Sequence, residues 1–139
     1  KWTRLICDEF YGTDGEHGYG YGQDEDQGQL GSWYVLAAMG LFDVQGGACS
    51  EPTYQLGSPE FDEITVHLSK FNTKGGTFRI RAKGNSADAM YVQNATFNGK
   101  PLDRCWLYRD EVFNGGELVL QMGTEPSDVW NNSEPPVSE

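Results

Sequence analysis

The chain has 139 residues, enough for one domain with a core of moderate size. Its 21 acidic and 10 basic side chains give a formal net charge of −11, which argues against a nucleic-acid partner because phosphate binding needs a basic surface. No stretch approaches the roughly 20 apolar residues of a membrane-spanning helix. The three cysteines, Cys7, Cys49 and Cys105, lie far apart without zinc-ligand spacing, so we expect buried free thiols and at most one disulfide.

The first predicted element is a helix over Trp2–Phe10. Trp2, Leu5 and Ile6 recur at helical spacing and are expected to form its buried side. Because the helical pattern is already present at the first residues, it suggests a piece of a longer protein.

A loop rich in glycine and aromatic residues follows, from Tyr11 to Gln23. It is not a phosphate-binding loop, because no strand precedes it and no Lys-Ser/Thr pair follows it. Two interpretations remain open. Its tyrosines, Tyr21 among them, form a wall that contacts a sugar, or the loop is a flexible connection.

Three consecutive acids, Asp24, Glu25 and Asp26, lead into an uncharged segment from Leu30 to Met39. A surface helix shows a single apolar stripe, whereas this segment is apolar on nearly every side and predicts a helix that is buried all round. Asp26 or Ser32 can cap its start. The glycine that follows Met39 is expected to end it in a left-handed conformation.

The acids themselves have two interpretations. In one, they are the acidic start of a helix, where carboxylates complement the helix dipole. In the other, they lie at the edge of the core and take part in chemistry. An EF-hand calcium loop that starts at Asp24 is excluded, because its twelfth position is Val35, where a bidentate glutamate is required.

From Tyr54 onward the hydrophobic period is two, which is typical of strands with one buried and one wetter face. Asn98-Gly99 favours a two-residue type I′ hairpin turn. A short helical turn is predicted over Asp110–Phe113, with Asp110 as its N-cap. Three strands have the inward-facing sets Ile64/Val66/Leu68, Phe78/Ile80/Ala82 and Leu118/Leu120/Met122, and further strands are predicted at Met90–Phe97 and Leu102–Tyr108.

Helices followed by antiparallel strands with short connections predict an α+β fold. We expect one or two buried helices packed with an antiparallel β-sheet in two layers. The change in composition divides the chain into helices with an acidic loop at 1–44 and a sheet region of the same domain at 45–130. Residues 131–139 are expected to form a flexible tail or to cross to another part of the protein.

The acidic stretch and the helix after it resemble a signature of glycoside hydrolase family 92, a family of calcium-dependent, exo-acting α-mannosidases. Further blocks match in the family's order, so that the resemblance covers roughly Trp2 to Trp130. The blocks are Asp24-Glu25-Asp26-Gln27-Gly28-Gln29-Leu30-Gly31-Ser32-Trp33-Tyr34, Met39-Gly40-Leu41-Phe42, Tyr54, Gly57-Ser58-Pro59, Phe61, Asn94-Ala95-Thr96-Phe97-Asn98-Gly99-Lys100-Pro101, Gly115-Gly116-Glu117-Leu118 and Met122-Gly123.

The resemblance implies an inverting hydrolysis by two carboxyl groups. It makes Asp26 the general base, in preference to Asp24, which shares that role or orients the attacking water. Tyr21 and Gln29 are the candidate substrate-binding residues. Gln29 and Ser32 can contact substrate or metal, or they can simply cap and pack the helix, and packing is the favoured interpretation. The family's general acid, a glutamate on an upstream segment, has no match in this chain, so the chain alone is expected to be inactive.

The resemblance also implies Ca²⁺ as a cofactor of the full-length enzyme, with most of its ligands outside this chain and none that the sequence identifies. The implied partners are a mannose-containing glycan and the remainder of the parent enzyme, an N-terminal β-domain and a helical barrel whose last helices lie at 1–44. N-glycan degradation and an extracytoplasmic location, either periplasmic, surface or secreted, follow in the same way. The alternative is a non-catalytic carbohydrate-binding or structural α+β module whose acids only cap a helix.

Overall fold

A computed structural model describes residues 1–12 and 28–136 of the chain. These residues form three helices and eight strands, which confirms the predicted α+β class. In chain order they are α1 (Trp2–Phe10), α2 (Gln29–Ala38), β1 (Leu41–Phe42), β2 (Thr53–Leu56), β3 (Glu63–Leu68), β4 (Gly76–Lys83), β5 (Tyr91–Phe97), β6 (Lys100–Pro101), β7 (Trp106–Tyr108), α3 (Arg109–Phe113) and β8 (Gly116–Gly123).

The strands form two sheets, a five-stranded one in the order β3-β4-β8-β5-β6 and a three-stranded one in the order β1-β2-β7. Every pairing is antiparallel except that of β4 with β8, which is parallel. The prediction of a wholly antiparallel sheet is therefore wrong, and the larger sheet is mixed. A parallel pair needs a long crossover connection, and the segment from β5 to α3 supplies it.

The predicted alternation of the three main strands is confirmed. Phe78, Ile80 and Ala82 of β4 are buried, and Ile80 lies opposite Leu118 of β8 in the parallel pair. Their burial builds one core, to which both sheets and α3 contribute, because each strand turns only one face inward. Its fully enclosed members include Phe78, Ile80, Leu107, Leu118 and Leu120.

Three short-range predictions differ in their outcome. The Asn98-Gly99 turn is confirmed, because both residues have the positive φ values of a type I′ turn, 50° and 76°. The strand predicted over Leu102–Tyr108 is shorter and contains only β7, because the backbone amide of Leu102 bonds to the carbonyl of Ala95 across the β5–β6 hairpin. The helical turn begins at Arg109 and not with an Asp110 cap, since Glu111 accepts a hydrogen bond from the backbone of the true N-cap, Tyr108 (2.8 Å).

Helix α1 has the predicted bounds, but of the three residues predicted to form its buried side two are exposed and Leu5 is only half-buried. Arg4 and Cys7 face inward, while Trp2 is 69% exposed and Ile6 is also exposed. The guanidinium of Arg4 donates to the backbone carbonyls of Ser86 (2.8 Å) and Pro59, and these bonds set the rotation of the helix. Burial raises the pKa of the Cys7 thiol to about 11.

Helix α2 is not buried all round, contrary to the prediction. Among its residues only Ala37 and Ala38 are buried, and Val35 is 57% exposed. The described sheets cover only its last turn, and an apolar composition cannot tell which neighbours a face has. Ser32 does not cap the helix, because its N-cap is Gly28 and no side chain caps it there.

The end of α2 is as predicted, with Gly40 in a left-handed conformation (φ +71°). A Cβ atom at this position would lie 2.9 Å from the ring and the backbone nitrogen of Pro59. Glycine is therefore required here for two reasons, its permitted φ and the close approach of a second segment.

Replacing Gly40 with alanine is expected to lower the free energy of unfolding by about 2–4 kcal/mol, because backbone strain and the clash with Pro59 add together. Gly46→Ala is the matched control. Gly46 also has a positive φ (+59°), but a Cβ there would meet nothing within 4 Å. Urea unfolding of both variants checks this, and equal losses would contradict the role given to the Pro59 contact.

The three cysteines are free thiols, and of the three only Cys7 is buried.

The described part of the tail is held to the smaller sheet by hydrogen bonds. Cys105 donates its backbone N–H to Ser133 Oγ (3.2 Å), and the Trp106 indole donates to the carbonyl of Glu134 (2.9 Å). Within residues 1–12 and 28–136, no helix is long and apolar enough to cross a membrane.

Candidate functional site

The residues predicted to carry the chemistry are only partly within the described structure. Asp24, Asp26 and Tyr21 lie outside the described residues. Gln29 is described, as the first residue of α2, and its side chain is exposed. The geometry of the candidate site is therefore that of its two flanks, one ending at Gly12 and the other beginning at Gly28.

The downstream flank is the start of α2. Gly28 has a left-handed conformation (φ +69°), and its carbonyl accepts the first helical hydrogen bond, from the backbone N–H of Ser32 (3.0 Å). The sequence favoured packing of Gln29 and Ser32 against the protein. Both side chains are exposed among the described residues. In the sequence, Asp26 comes two residues before Gly28, and Gln29, with its exposed amide, comes directly after Gly28.

The upstream flank is fixed to the same helix by aromatic stacking. The ring of Tyr11 stacks on Trp33 with centroids 5.3 Å apart and on Tyr34 with centroids 5.2 Å apart. The interplanar angles of 21° and 29° are those of stacked rings. The sequence predicted that Tyr11 begins a loop that is either a sugar-contacting wall or a flexible connection, and the structure shows that its ring contacts the helix that follows the acids.

A separate cavity of about 490 Å³ lies between α1 and the segments at 59–62 and 85–90. Arg4 is only 5% exposed at its edge, and its guanidinium also donates to Asn85 Oδ1. Burial lowers the pKa of Arg4, against the opposing effect of Glu60. No pattern in the sequence indicated this site, because Arg4 lies more than fifty residues from the carbonyl groups that it contacts there.

Glu60 is a second, half-buried titratable group at this cavity. Its Oε1 atom is buried and has no hydrogen-bond partner among the described residues. Burial raises the pKa of Glu60, Asp8 raises it further, and Arg4 opposes both. Because the folded state holds this proton more tightly than the unfolded chain, the group stabilises the fold at low pH and loses that contribution as the pH rises through its folded pKa.

The described residues do not form a metal site. Within the two described ranges, no group of three or more His, Cys, Asp or Glu side chains is arranged to hold an ion. A calcium ion takes six to eight oxygen ligands, so the described part of the chain does not fit it alone.

Comparisons with known proteins match most of this chain. A family model described as the glycosyl hydrolase family 92 catalytic domain matches residues 1–124. A curated relative from Arthroderma benhamiae, described as an uncharacterized secreted glycosidase, is 33% identical over 117 residues, which covers 81% of this chain and 14% of the relative.

Two solved structures from Bacteroides thetaiotaomicron extend this similarity to the fold. One is a family GH92 α-mannosidase, with 30% identity, a TM-score of 0.80 and coverage of 97% of this chain and 17% of its own; it has also been solved with mannoimidazole bound. The other is a family GH92 inverting mannosidase, with 35% identity, a TM-score of 0.76 and coverage of 99% and 18%. The chain thus spans less than a fifth of the length of each of these relatives.

Proposed function

The chain belongs to glycosyl hydrolase family 92, and from this membership we propose that it is the base-bearing part of an exo-acting α-mannosidase that releases terminal α-linked mannose from glycans. The observation that carries the proposal is the family match over residues 1–124, which includes the acidic stretch and the helix into which it leads. Similarity to an α-mannosidase and to an inverting mannosidase over nearly the whole chain supports the substrate and the stereochemistry.

In the proposed reaction, a water molecule attacks the anomeric carbon and gives a proton to the carboxylate of Asp26. At the same time the glycosidic oxygen accepts a proton from a carboxylic acid on the opposite face of the sugar and leaves. The bond from carbon to the leaving oxygen breaks as the bond to water forms, so the configuration inverts. The two carboxyl groups must be about 6.5–9.5 Å apart to leave room for that water.

The other candidate residues near Asp26 have proposed roles in orienting the water or binding the sugar. Asp24 orients the attacking water as a second acceptor. Gln29 offers an exposed amide at the start of α2, which can both donate to and accept from a sugar hydroxyl. Tyr21 supplies an aromatic ring and a hydroxyl to the substrate.

The general acid and most of the calcium ligands belong, in this proposal, to the remainder of the parent enzyme. A calcium ion held there would supply a positive charge to the sugar hydroxyls and would favour distortion of the ring. The described residues do not form its site on their own, and the roles proposed for this chain are the base and the substrate contacts.

The exposed apolar surface of the two long helices supports a larger enzyme around this chain. Trp2, Ile6 and Phe10 recur every four residues along α1 and are all exposed, and Val35 of α2 is exposed as well. A helix that turns its apolar side away from its own core presents it to another element. We assign that surface to the remainder of the parent enzyme, its N-terminal β-domain and helical barrel.

The proposed setting is the degradation of N-glycans outside the cytoplasm, in the periplasm, at the cell surface or in the secreted fraction. The curated relative is described as a secreted glycosidase, which supports this location.

The isolated chain is expected to show no hydrolysis of an aryl α-mannoside, with or without added Ca²⁺, because the proposed base has no general acid opposite it. The full-length enzyme, assayed under the same conditions, is the positive control. Release of the aryl group by the isolated chain at a rate comparable to the full-length enzyme would show that both carboxyl groups lie within these 139 residues.

A further inference from the structure

The five-stranded sheet has a long open edge at β3. This strand of six residues pairs with β4 along its whole length, and it has no second strand partner within residues 1–12 and 28–136. The backbone N–H of Ala82 donates to the carbonyl of Asp62, so in this antiparallel ladder the even-numbered residues of β3 direct their backbone groups at β4. The backbone groups of the odd-numbered residues therefore face away from the sheet, and these residues are Glu63, Thr65 and His67.

The other three sheet edges are blocked by their own residues. β1 and β6 are only two residues long, and β6 ends in Pro101, which has no backbone N–H. On β7, the outward N–H of Tyr108 donates to Glu111 Oε2 (2.8 Å). The outward carbonyl of Trp106 on the same strand accepts from Arg104 Nε (3.0 Å).

β3 has none of these protections. It contains no proline, its register with β4 has no bulge, and no described side chain bonds to its outward backbone groups. Natural sheets block the edges that stay in solvent, because an open edge pairs with other chains. A single open edge beside three blocked ones indicates that β3 has a strand partner in the assembled protein.

We propose that β3 pairs antiparallel with β3 of a second copy of the protein, about a twofold axis at Thr65. The axis places Thr65 opposite itself and Glu63 opposite His67 of the partner subunit, and the reverse pair forms by symmetry. All three outward-facing residues of each copy are then paired, and each pair exchanges two backbone hydrogen bonds. The pairing joins the two five-stranded sheets into one continuous sheet.

The side chains on both faces of this strand pair are complementary. On the polar face, the His67 imidazole can donate to the carboxylate of Glu63 of the partner subunit, which is 52% exposed even though it also contacts Arg81 (3.2 Å). On the other face, Ile64 comes opposite Val66 of the partner subunit. Both of these side chains are only half-buried in one copy, so the pairing covers more of their apolar surface.

This complementarity favours a second copy over a segment from elsewhere in the parent enzyme. In a twofold pair every residue of β3 meets a residue of the same strand, so the pattern of charge, hydrogen bonding and apolar surface must match itself. The alternation of β3 meets that condition when the axis lies at Thr65. A register shifted along the strand leaves outward-facing groups unpaired at its ends.

The test is the oligomeric state of the full-length enzyme that carries this chain, measured by size-exclusion chromatography with light scattering over a range of concentrations. The parent enzyme is expected to have the mass of a dimer at micromolar concentration. Thr65→Lys places two ammonium groups opposite each other at the axis, and it is expected to raise the Kd of the dimer by about 10–100-fold. Thr65→Val keeps the β-branched shape without a charge and is the matched control, with a Kd expected within about threefold of the parent.

A second pair of variants tests the register. His67→Glu places two carboxylates opposite each other and is expected to weaken the dimer by about 10-fold or more. His67→Lys keeps a basic group opposite Glu63 of the partner subunit and is expected to leave the Kd within about threefold. Thermal unfolding of each variant shows that the enzyme is folded.

Hydrogen exchange of the backbone amides locates the contact. The amides of Glu63, Thr65 and His67 are expected to exchange slowly in the parent enzyme and fast in Thr65→Lys at a concentration where that variant is monomeric. A monomeric parent enzyme overturns the inference, and slow exchange of these amides in that monomer would assign the edge to another segment of the enzyme. A dimer that Thr65→Lys does not weaken also overturns it, because contacts elsewhere would then hold the two copies together.

Discussion

Asp26→Asn in the full-length enzyme is expected to lower kcat by about 10²–10⁴-fold, the usual contribution of a general base. Asparagine has nearly the size of aspartate but cannot accept the proton of the attacking water. The loss corresponds to about 3–5.5 kcal/mol of transition-state stabilisation. KM for an aryl α-mannoside is expected to stay nearly constant, because the proton transfer takes place only in the transition state.

Glu25→Gln is the matched control, since it removes one negative charge from the same acidic stretch. In an extended backbone, neighbouring side chains point to opposite sides, so Glu25 is expected to face away from the water and its variant to keep most of the activity. Asp24→Asn is expected to fall between the two. Equal, small losses in all three variants would favour a structural module whose acids only cap a helix.

Phe78→Ala is expected to lower the free energy of unfolding by about 3–5 kcal/mol, the cost of removing a large aromatic side chain from a closed core. Phe78 of β4 is completely buried, and its ring lies near that of Phe97, with centroids 6.5 Å apart. The strands on either side of β4, which are β3 and β8, are hydrogen-bonded to it and limit how far the backbone can shift to close the cavity. Denaturant unfolding measures the loss.

Phe71→Ala is the matched control for this substitution. Phe71 lies in the connection between β3 and β4 and is 92% exposed, so its truncation is expected to change stability by no more than about 0.5 kcal/mol. Equal losses at the two positions would contradict the assignment of Phe78 to the core.

The strands were predictable because their signal is local. Phe78, Ile80 and Ala82 alternate with polar residues, and one buried face of a sheet requires that alternation whatever the strand pairs with. The Asn98-Gly99 turn was predictable for the same reason, since two residues with positive φ decide it. The parallel pairing of β4 with β8 was not, because it depends on the path of the segment from β5 to α3.

Which side of each helix is buried depends on residues that are distant in the chain. Arg4 turns inward because its guanidinium reaches the carbonyls of Ser86 and Pro59, far away in the chain. Without those acceptors, the apolar Trp2 and Ile6 are the natural choice for the buried side. The apolar composition of α2 indicated burial correctly only at its last turn, where Ala37 and Ala38 are buried and Leu36 packs against the core.

The candidate site shows the same division between local and distant information. The acidic stretch and its continuation into α2 were visible in the sequence as a contiguous motif, and the family match covers them. The stacking of Tyr11 on Trp33 was not visible, because the two rings belong to separate segments. Roles for Asp24, Asp26 and Tyr21 stay predictions, since these residues lie outside the described structure.

The central claim, that Asp26 deprotonates the attacking water, is tested most directly by azide rescue of Asp26→Ala in the full-length enzyme. Azide is already an anionic nucleophile, so it needs no general base, and the smaller side chain leaves room for it. With an aryl α-mannoside as substrate, we expect azide to restore release of the aryl group and to give β-mannosyl azide, the inverted product. A folded Asp26→Ala enzyme that azide does not reactivate, or that gives the α-azide, would contradict the claim.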